Sequence, residues 1–219
     1  MNVAIVGTGL IGGSMAIALK EKNIADKIIG VESNKQYQQR ALDLSLVDEI
    51  NDLDEAVQKS DVVILAVPVD AAIKMISQVL DKTENQIIID VGSTKSAICK
   101  AVVNHSKRRR FVATHPMWGT EYRGPDAATI GAFVDKAVVI CDKAESDVDA
   151  LEFTENMYRK IGMHLIYMNS IPHDVHAAYV SHISHITSFA LANTVLEKER
   201  EEDAIFELAS GGFESTVRL

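Results

Sequence analysis

Four short runs of β-branched and aliphatic residues mark the first half of the chain: VAIVG at 3–7, KIIGVE at 27–32, DVVILAV at 61–67 and QIIIDVG at 86–92. They are nearly continuous in apolar character rather than alternating, and Gly, Asp or Pro bounds them, the pattern of strands buried on both faces. Between them the spacing turns helical, over 10–22, 34–43, 70–81 and 95–104. Strand and helix in alternation predict an α/β fold, a Rossmann-type doubly wound parallel sheet. FVATH at 111–115, AVVIC at 137–141 and HLIYM at 164–168 extend the sheet, with a helix over 146–161.

From Ser170 the pattern changes. Ser170 suits an N-cap, Pro172 suits a first helical turn, and no strand signal follows as far as Leu219. We therefore expect a dinucleotide-binding domain over 1–169 and an all-helical region over 170–219. A helix over 172–199 carries Val175, Tyr179, Val180, Ile183, Ile186, Phe189, Leu191 and Val195 on most of its circumference, too much for one buried face. The roughly fifty residues of this region do not enclose such a helix. The expectation is a covering partner chain, a chain shortened at its C-terminal end, or both.

Charge narrows the function classes. A net charge of −9 works against nucleic acid and anionic membranes, and an anionic ligand would need cations placed locally. The basic run KRRR at 107–110 reads as a solvated turn before a strand. No apolar run reaches the length of a membrane span, and the chain enters a strand at once, without room for a signal peptide, so we expect a cytoplasmic protein. Cys99 and Cys141 fit no metal-ligand spacing and read as buried free thiols.

GTGLIG places Gly7, Gly9 and Gly12 as G-x-G-x-x-G directly after a strand and at a helix start. Glycines there allow a tight turn and close backbone approach, and the helix offers unpaired N–H groups to a diphosphate. Glu32 falls twenty residues after Gly12, at the end of the second strand, where a carboxylate bonds ribose hydroxyls and repels a 2′-phosphate. NAD is thus favoured over NADP, although Lys35 keeps NADP open. Leu10 and Ile11 within the loop, Val67 at the end of the third strand and Pro68 just after it complete the candidate cofactor-binding set.

With a dinucleotide half in place, VGSTK (91–95), THPMWGTE (114–121), SHISH (181–185) and GGFESTVRL (211–219) together resemble the prephenate and arogenate dehydrogenase family of tyrosine biosynthesis. The resemblance covers essentially the whole chain. It implies hydride transfer to NAD from the alcohol carbon of a cyclohexadienol, with loss of the ring carboxylate as CO₂, and a homodimer through intertwined C-terminal helices. The small-molecule substrate carries two carboxylates.

The same resemblance supplies candidate site residues. His115 matches the family histidine that accepts the hydroxyl proton, a role suited to an imidazole at neutral pH. Ser93 matches the serine that bonds the same hydroxyl, with a helix N-cap as its alternative reading. Glu121 matches a glutamate that gates the pocket edge, with a solvated loop acid as the alternative. His182 and His185, three apart on a helix, and His173 match histidines lining the substrate site. Arg218 matches the arginine that holds a substrate carboxylate in a bidentate fork. Trp118 stands where many relatives carry a small residue, and either packs on Pro116 or floors the pocket. No metal is expected, since the histidine spacing is not that of a zinc helix. Three other readings stay open: arogenate as substrate, another NAD-linked dehydrogenase with a helical second domain, and a non-catalytic NAD-sensing protein.

Overall fold

In the computed structural model, which describes residues 1–199, the apolar runs become strands of one eight-stranded sheet. In chain order these are β1 (Asn2–Val6), β2 (Lys27–Val31), β3 (Glu49–Ile50), β4 (Val62–Leu65), β5 (Ile87–Asp90), β6 (Phe111–Pro116), β7 (Ala137–Cys141) and β8 (His164–Met168). Their spatial order is β3-β2-β1-β4-β5-β6-β7-β8. Helices α1 (Leu10–Glu21), α2 (Lys35–Asp43), α3 (Leu53–Lys59), α4 (Val69–Lys82), α5 (Ser96–Val102) and α6 (Val148–Lys160) connect them.

The strand pleat separates two cores. Val3 and Ile5 of β1 pack with Met15 and Leu19 of α1, whereas Ala4 and Val6 pack with Ile76 and Leu80 of α4 on the other face. All eight are buried. At about 1.5–3 kcal/mol for each fully buried large aliphatic side chain, these two faces hold the sheet as a rigid platform.

Three features depart from the sequence expectations. β3 and α3 carry no separate periodic signal, because two and seven residues are too few to show one. Asp52 caps α3 by accepting from the Glu55 amide at 2.9 Å, so the helix start is set by a local hydrogen bond. The sheet is also not parallel throughout: β7 pairs antiparallel with β6 in the register His115 to Val139 and Ala113 to Cys141. Residues 117–136 contain a single 3-10 turn (Pro125–Ala127) and no crossover helix, so the chain re-enters the sheet from the edge it left. That edge is the C-terminal end of the parallel strands, where open α/β sheets place ligands.

By its contacts the chain divides into Met1–His173 and a second unit from Asp174 onward. Helix α7 (Ser170–Ala177) leads into a π-helical turn (Ala178–His182) and then α8 (Ile183–Glu199), in place of one regular helix. Tyr179, Val180, Ile183, Ile186 and Phe189 are exposed along it. No helix of the described residues is long and apolar enough to cross a membrane.

A polar network lies inside the sheet between β5, β6 and α6. Asp90 and Lys95, both excluded from solvent, form an ion pair. Lys95 Nζ also donates to the Thr114 carbonyl at 2.8 Å, while the Asp90 carboxylate accepts from the Gly92 and Thr114 amides at 3.1 and 3.3 Å. The Thr114 hydroxyl donates to the Asp90 carbonyl at 2.6 Å, so the buried Tyr158 hydroxyl, also 2.6 Å away, is the donor to Thr114. Burial pushes the Asp90 carboxyl up from its ordinary range, against the lowering pull of Lys95 and the two amides, and pushes the Tyr158 phenol up as well.

Lys95→Met leaves the Asp90 carboxyl buried without its cation, and the fold loses about 3–5 kcal/mol at neutral pH. The buried acid must then bind a proton on folding, and its folded pKa lies further above the unfolded value. The variant's stability deficit therefore grows as pH rises from about 5 to 8. Urea midpoints of parent and variant across that range measure it; a deficit independent of pH contradicts the assignment.

Candidate active site

The glycine loop has the shape its motif predicts. Gly7 adopts φ +94°, and a Cβ there would lie 2.6 Å from the Ala66 carbonyl oxygen. A Cβ at Gly12 would lie 1.9 Å from the Gly7 carbonyl oxygen. Gly9 differs: the first atom its Cβ would meet is the Gly124 amide nitrogen at 4.0 Å, so the loop holds space open in front of it. Gly9 is also the cap position of α1 and makes no side-chain cap bond, which leaves the first-turn N–H groups of that helix to an anion.

On one side of this loop is a pocket of about 550 Å³ walled by Gly7, Gly9, Glu32, Tyr37, Val67, Pro68 and Lys74. The Glu32 carboxylate is fixed at its edge, accepting from the Thr8 amide at 3.1 Å and the Asn34 amide at 3.0 Å. On the other side a cleft of about 440 Å³ is walled by Leu10, Ile11, Val67, Pro68, Ser93, His115, Trp118, Thr120, Tyr122 and Arg123. Val67 and Pro68 belong to both walls, so the two hollows flank one strand end. The residues fit a dinucleotide laid from Glu32 across Gly9 toward Ser93 and His115.

His115 stands at the end of β6, half-buried, and its Nδ1 lies 3.0 Å from Nε2 of His173. The rings meet edge to face at 78°. His173 is 3% exposed on α7, so the structure gives this histidine an imidazole partner within the protein. Ser93 lies in the loop after β5 and faces the cleft, while Lys95 occupies the cap position of α5. The N-cap reading of Ser93 is therefore not the one the fold uses. The Asp90–Lys95 network underlies both: Lys95 bonds the Thr114 carbonyl, one residue before His115, and Asp90 bonds the Gly92 amide, one residue before Ser93.

Trp118 packs edge-on to Phe133 with centroids 5.5 Å apart and walls the cleft. Glu121 is exposed beside the cleft and is not part of its wall. His182 closes the π turn and His185 lies on α8, but their side chains lie outside the described residues, as does Arg218. Among the described residues no group of three His, Cys, Asp or Glu is placed to hold a metal. Cys99 and Cys141 are free and buried, and desolvation pushes both thiols up to about 12, which keeps them unreactive. Sequence reasoning missed Tyr37, Lys74, Tyr122 and Arg123, which sit in irregular or exposed positions without a motif of their own. A loop that returns across the ligand edge was the only available signal for the last two.

Comparison with known proteins gives the family. A family model described as "Prephenate dehydrogenase, nucleotide-binding domain" matches residues 15–167, and one described as "Prephenate dehydrogenase, dimerization domain" matches 169–219. The chain is 29% identical over 226 residues to a prephenate dehydrogenase of Bacillus subtilis, covering all of this chain and 60% of the relative. It is 29% identical over 222 residues to a cyclohexadienyl dehydrogenase of Zymomonas mobilis, covering all of this chain and 75% of that one. A crystal structure of prephenate dehydrogenase from A. aeolicus, in complex with hydroxyphenyl propionate and NAD+, superposes with a TM-score of 0.88 at 28% identity, covering 100% of this chain and 77% of the other. The chain thus spans three-fifths of the length of the B. subtilis relative.

The three loop glycines separate in their effects. Gly12→Ala forces a backbone shift and lowers stability by about 1–3 kcal/mol or more. Gly9→Ala meets open space, stays within about 1 kcal/mol of the parent, and instead fills the room left for a ligand. Thermal melts and NADH titration of both variants check this: an equal loss of stability in the two, or undiminished NADH binding by Gly9→Ala, contradicts it.

Proposed function

The chain belongs to the prephenate dehydrogenase family, and on that premise we propose that it catalyses the NAD-dependent oxidative decarboxylation of prephenate to 4-hydroxyphenylpyruvate. The observation that carries the proposal is the convergence of Ser93 and His115 on the cleft whose wall also contains Leu10, Ile11, Val67 and Pro68 of the dinucleotide-binding set. The parallel strands β5 and β6 both end at this cleft, which supports reading His115 as the proton acceptor and Ser93 as its neighbour beside a nicotinamide.

When bound, NAD supplies the hydride acceptor. The protein's part is proton handling, positioning and anion binding. For His115 Nε2 to accept the substrate hydroxyl proton, its Nδ1 must carry the hydrogen and donate it to His173 Nε2. His173, buried on α7, is the acceptor that selects this tautomer and then stabilises the imidazolium. Ser93 bonds the same hydroxyl and holds it toward Nε2. As the C–H pair leaves and the carbonyl forms, the C–C bond to the ring carboxylate breaks, its electrons enter the ring, and CO₂ departs. The resulting phenolate oxygen takes back the proton from His115, so the step closes without net proton release. Arg218 is assigned a substrate carboxylate through the family resemblance. The region over 169–219, matched by a dimerization domain, is proposed to pair with a second copy, covering the exposed Tyr179, Val180, Ile186 and Phe189. The reaction is proposed to be cytoplasmic, where Cys99 and Cys141 stay reduced.

A rise in absorbance at 340 nm with prephenate and NAD tests the function; no rise with prephenate or arogenate favours a non-catalytic NAD sensor. His115→Asn keeps a hydrogen-bonding group and removes the base, so turnover falls by about a hundredfold to ten-thousandfold while NAD affinity is kept. Near-parent turnover would remove His115 from this role. NAD should serve far better than NADP, and Glu32→Gln should narrow the difference; equal use of both by the parent contradicts the role given to Glu32.

A further inference from the structure

The described arginines are nearly all engaged. Arg40 pairs with Asp126, Arg109 with Asp147, Arg110 with Asp149 and Arg159 with Glu155, while Arg108 is buried against the Phe111 carbonyl. Arg123 is the exception: among the described residues it makes no hydrogen bond or ion pair, and it walls the 440 Å³ cleft. That wall contains no aspartate or glutamate, although the chain carries a net charge of −9. An arginine exposed on the wall of an acid-free cleft, with no partner among the described residues, can take an anion.

Its surroundings say which one. The segment just after Arg123 is pinned to the first two helices. Gly124, at φ +80°, lies against the Tyr37 ring, Asp126 accepts from Arg40 Nε at 2.7 Å, and the Thr129 amide donates to Ser14 Oγ at 2.9 Å. The Gly124 amide in turn stands 4.0 Å from the position a Gly9 Cβ would take, in front of the uncapped N-terminus of α1. Arg123 is thus anchored across the gap from the glycine loop. We propose that Arg123 clamps the diphosphate of the dinucleotide from the loop side, opposite the N–H groups that α1 presents to it. The β6–β7 return would then complete the cofactor site with a charge that the glycine motif itself lacks. This inference rests on the dinucleotide reading above.

Equilibrium titration separates the two. For the parent, Arg123→Gln and Arg123→Lys, affinities for NADH, ADP and adenosine are measured by fluorescence quenching and competition. The expected result is a loss of about tenfold for NADH and ADP in Arg123→Gln, a smaller loss in Arg123→Lys, and no change for adenosine, which has no phosphate. The salt dependence of NADH binding should also flatten in Arg123→Gln. NADH and ADP affinities within twofold of the parent overturn the proposal, and if KM for prephenate rises instead, the guanidinium serves a substrate carboxylate. A parent that binds neither NADH nor ADP overturns the dinucleotide reading and this inference with it.

Discussion

Asp90 and Lys95 are both excluded from water on either side of the loop that ends β5, and the position of everything reactive follows from their pairing. A buried cation and a buried anion are each costly alone, so neither side chain moves without stranding the other. Their remaining hydrogen bonds reach the Gly92 amide, the Thr114 amide and the Thr114 carbonyl. The backbone beside Ser93 and the backbone beside His115 are therefore fixed to one object. Such a pair contributes little net stability, but it sets the register of two strand ends that a hydrophobic core alone would locate less sharply.

The antiparallel return of β7 is the second constraint. A crossover helix after β6 would have carried the chain to the far edge of the sheet; its absence keeps residues 117–136 over the ligand edge. Trp118, Tyr122 and Arg123 reach the cleft for that reason. In our account the glycine loop and this return form the two sides of the cofactor site, and His115, between them, is the proposed base. Its ring is held by His173 from the helix that follows the sheet, so the orientation of the imidazole depends on an element 58 residues further along the chain.

Much of this was legible in the sequence, and the reasons for the remainder are local. The aliphatic runs located six strands because burial on both faces leaves a composition signal that survives without tertiary information, and a seventh, the largely exposed β8, by its β-forming residues alone. Gly7, Gly9 and Gly12 were legible because only glycine fits two of the positions and only an absent side chain leaves room at the third. β3 and α3 were too short to show a period, and the antiparallel β7 depends on a missing helix rather than on anything in the strand. Lys95 read as the start of a helix; nothing in its neighbours signals that its ammonium turns inward to Asp90. His173 read as one more substrate-facing histidine, since the 3.0 Å contact with His115 joins residues that no sequence spacing relates.

The central claim is that His115 acts through Nε2 because His173 accepts the Nδ1 hydrogen. Nitrogen-15 NMR of the histidine side chains in the NAD-bound protein reads this directly, with the His115 resonance assigned by its loss in His115→Asn. The account predicts a protonated Nδ1 and an unprotonated Nε2 for His115 at neutral pH, together with an unprotonated Nε2 on His173. A His115 that carries its hydrogen on Nε2, with Nδ1 accepting from His173, would contradict the account, because that imidazole has no lone pair to offer the substrate hydroxyl.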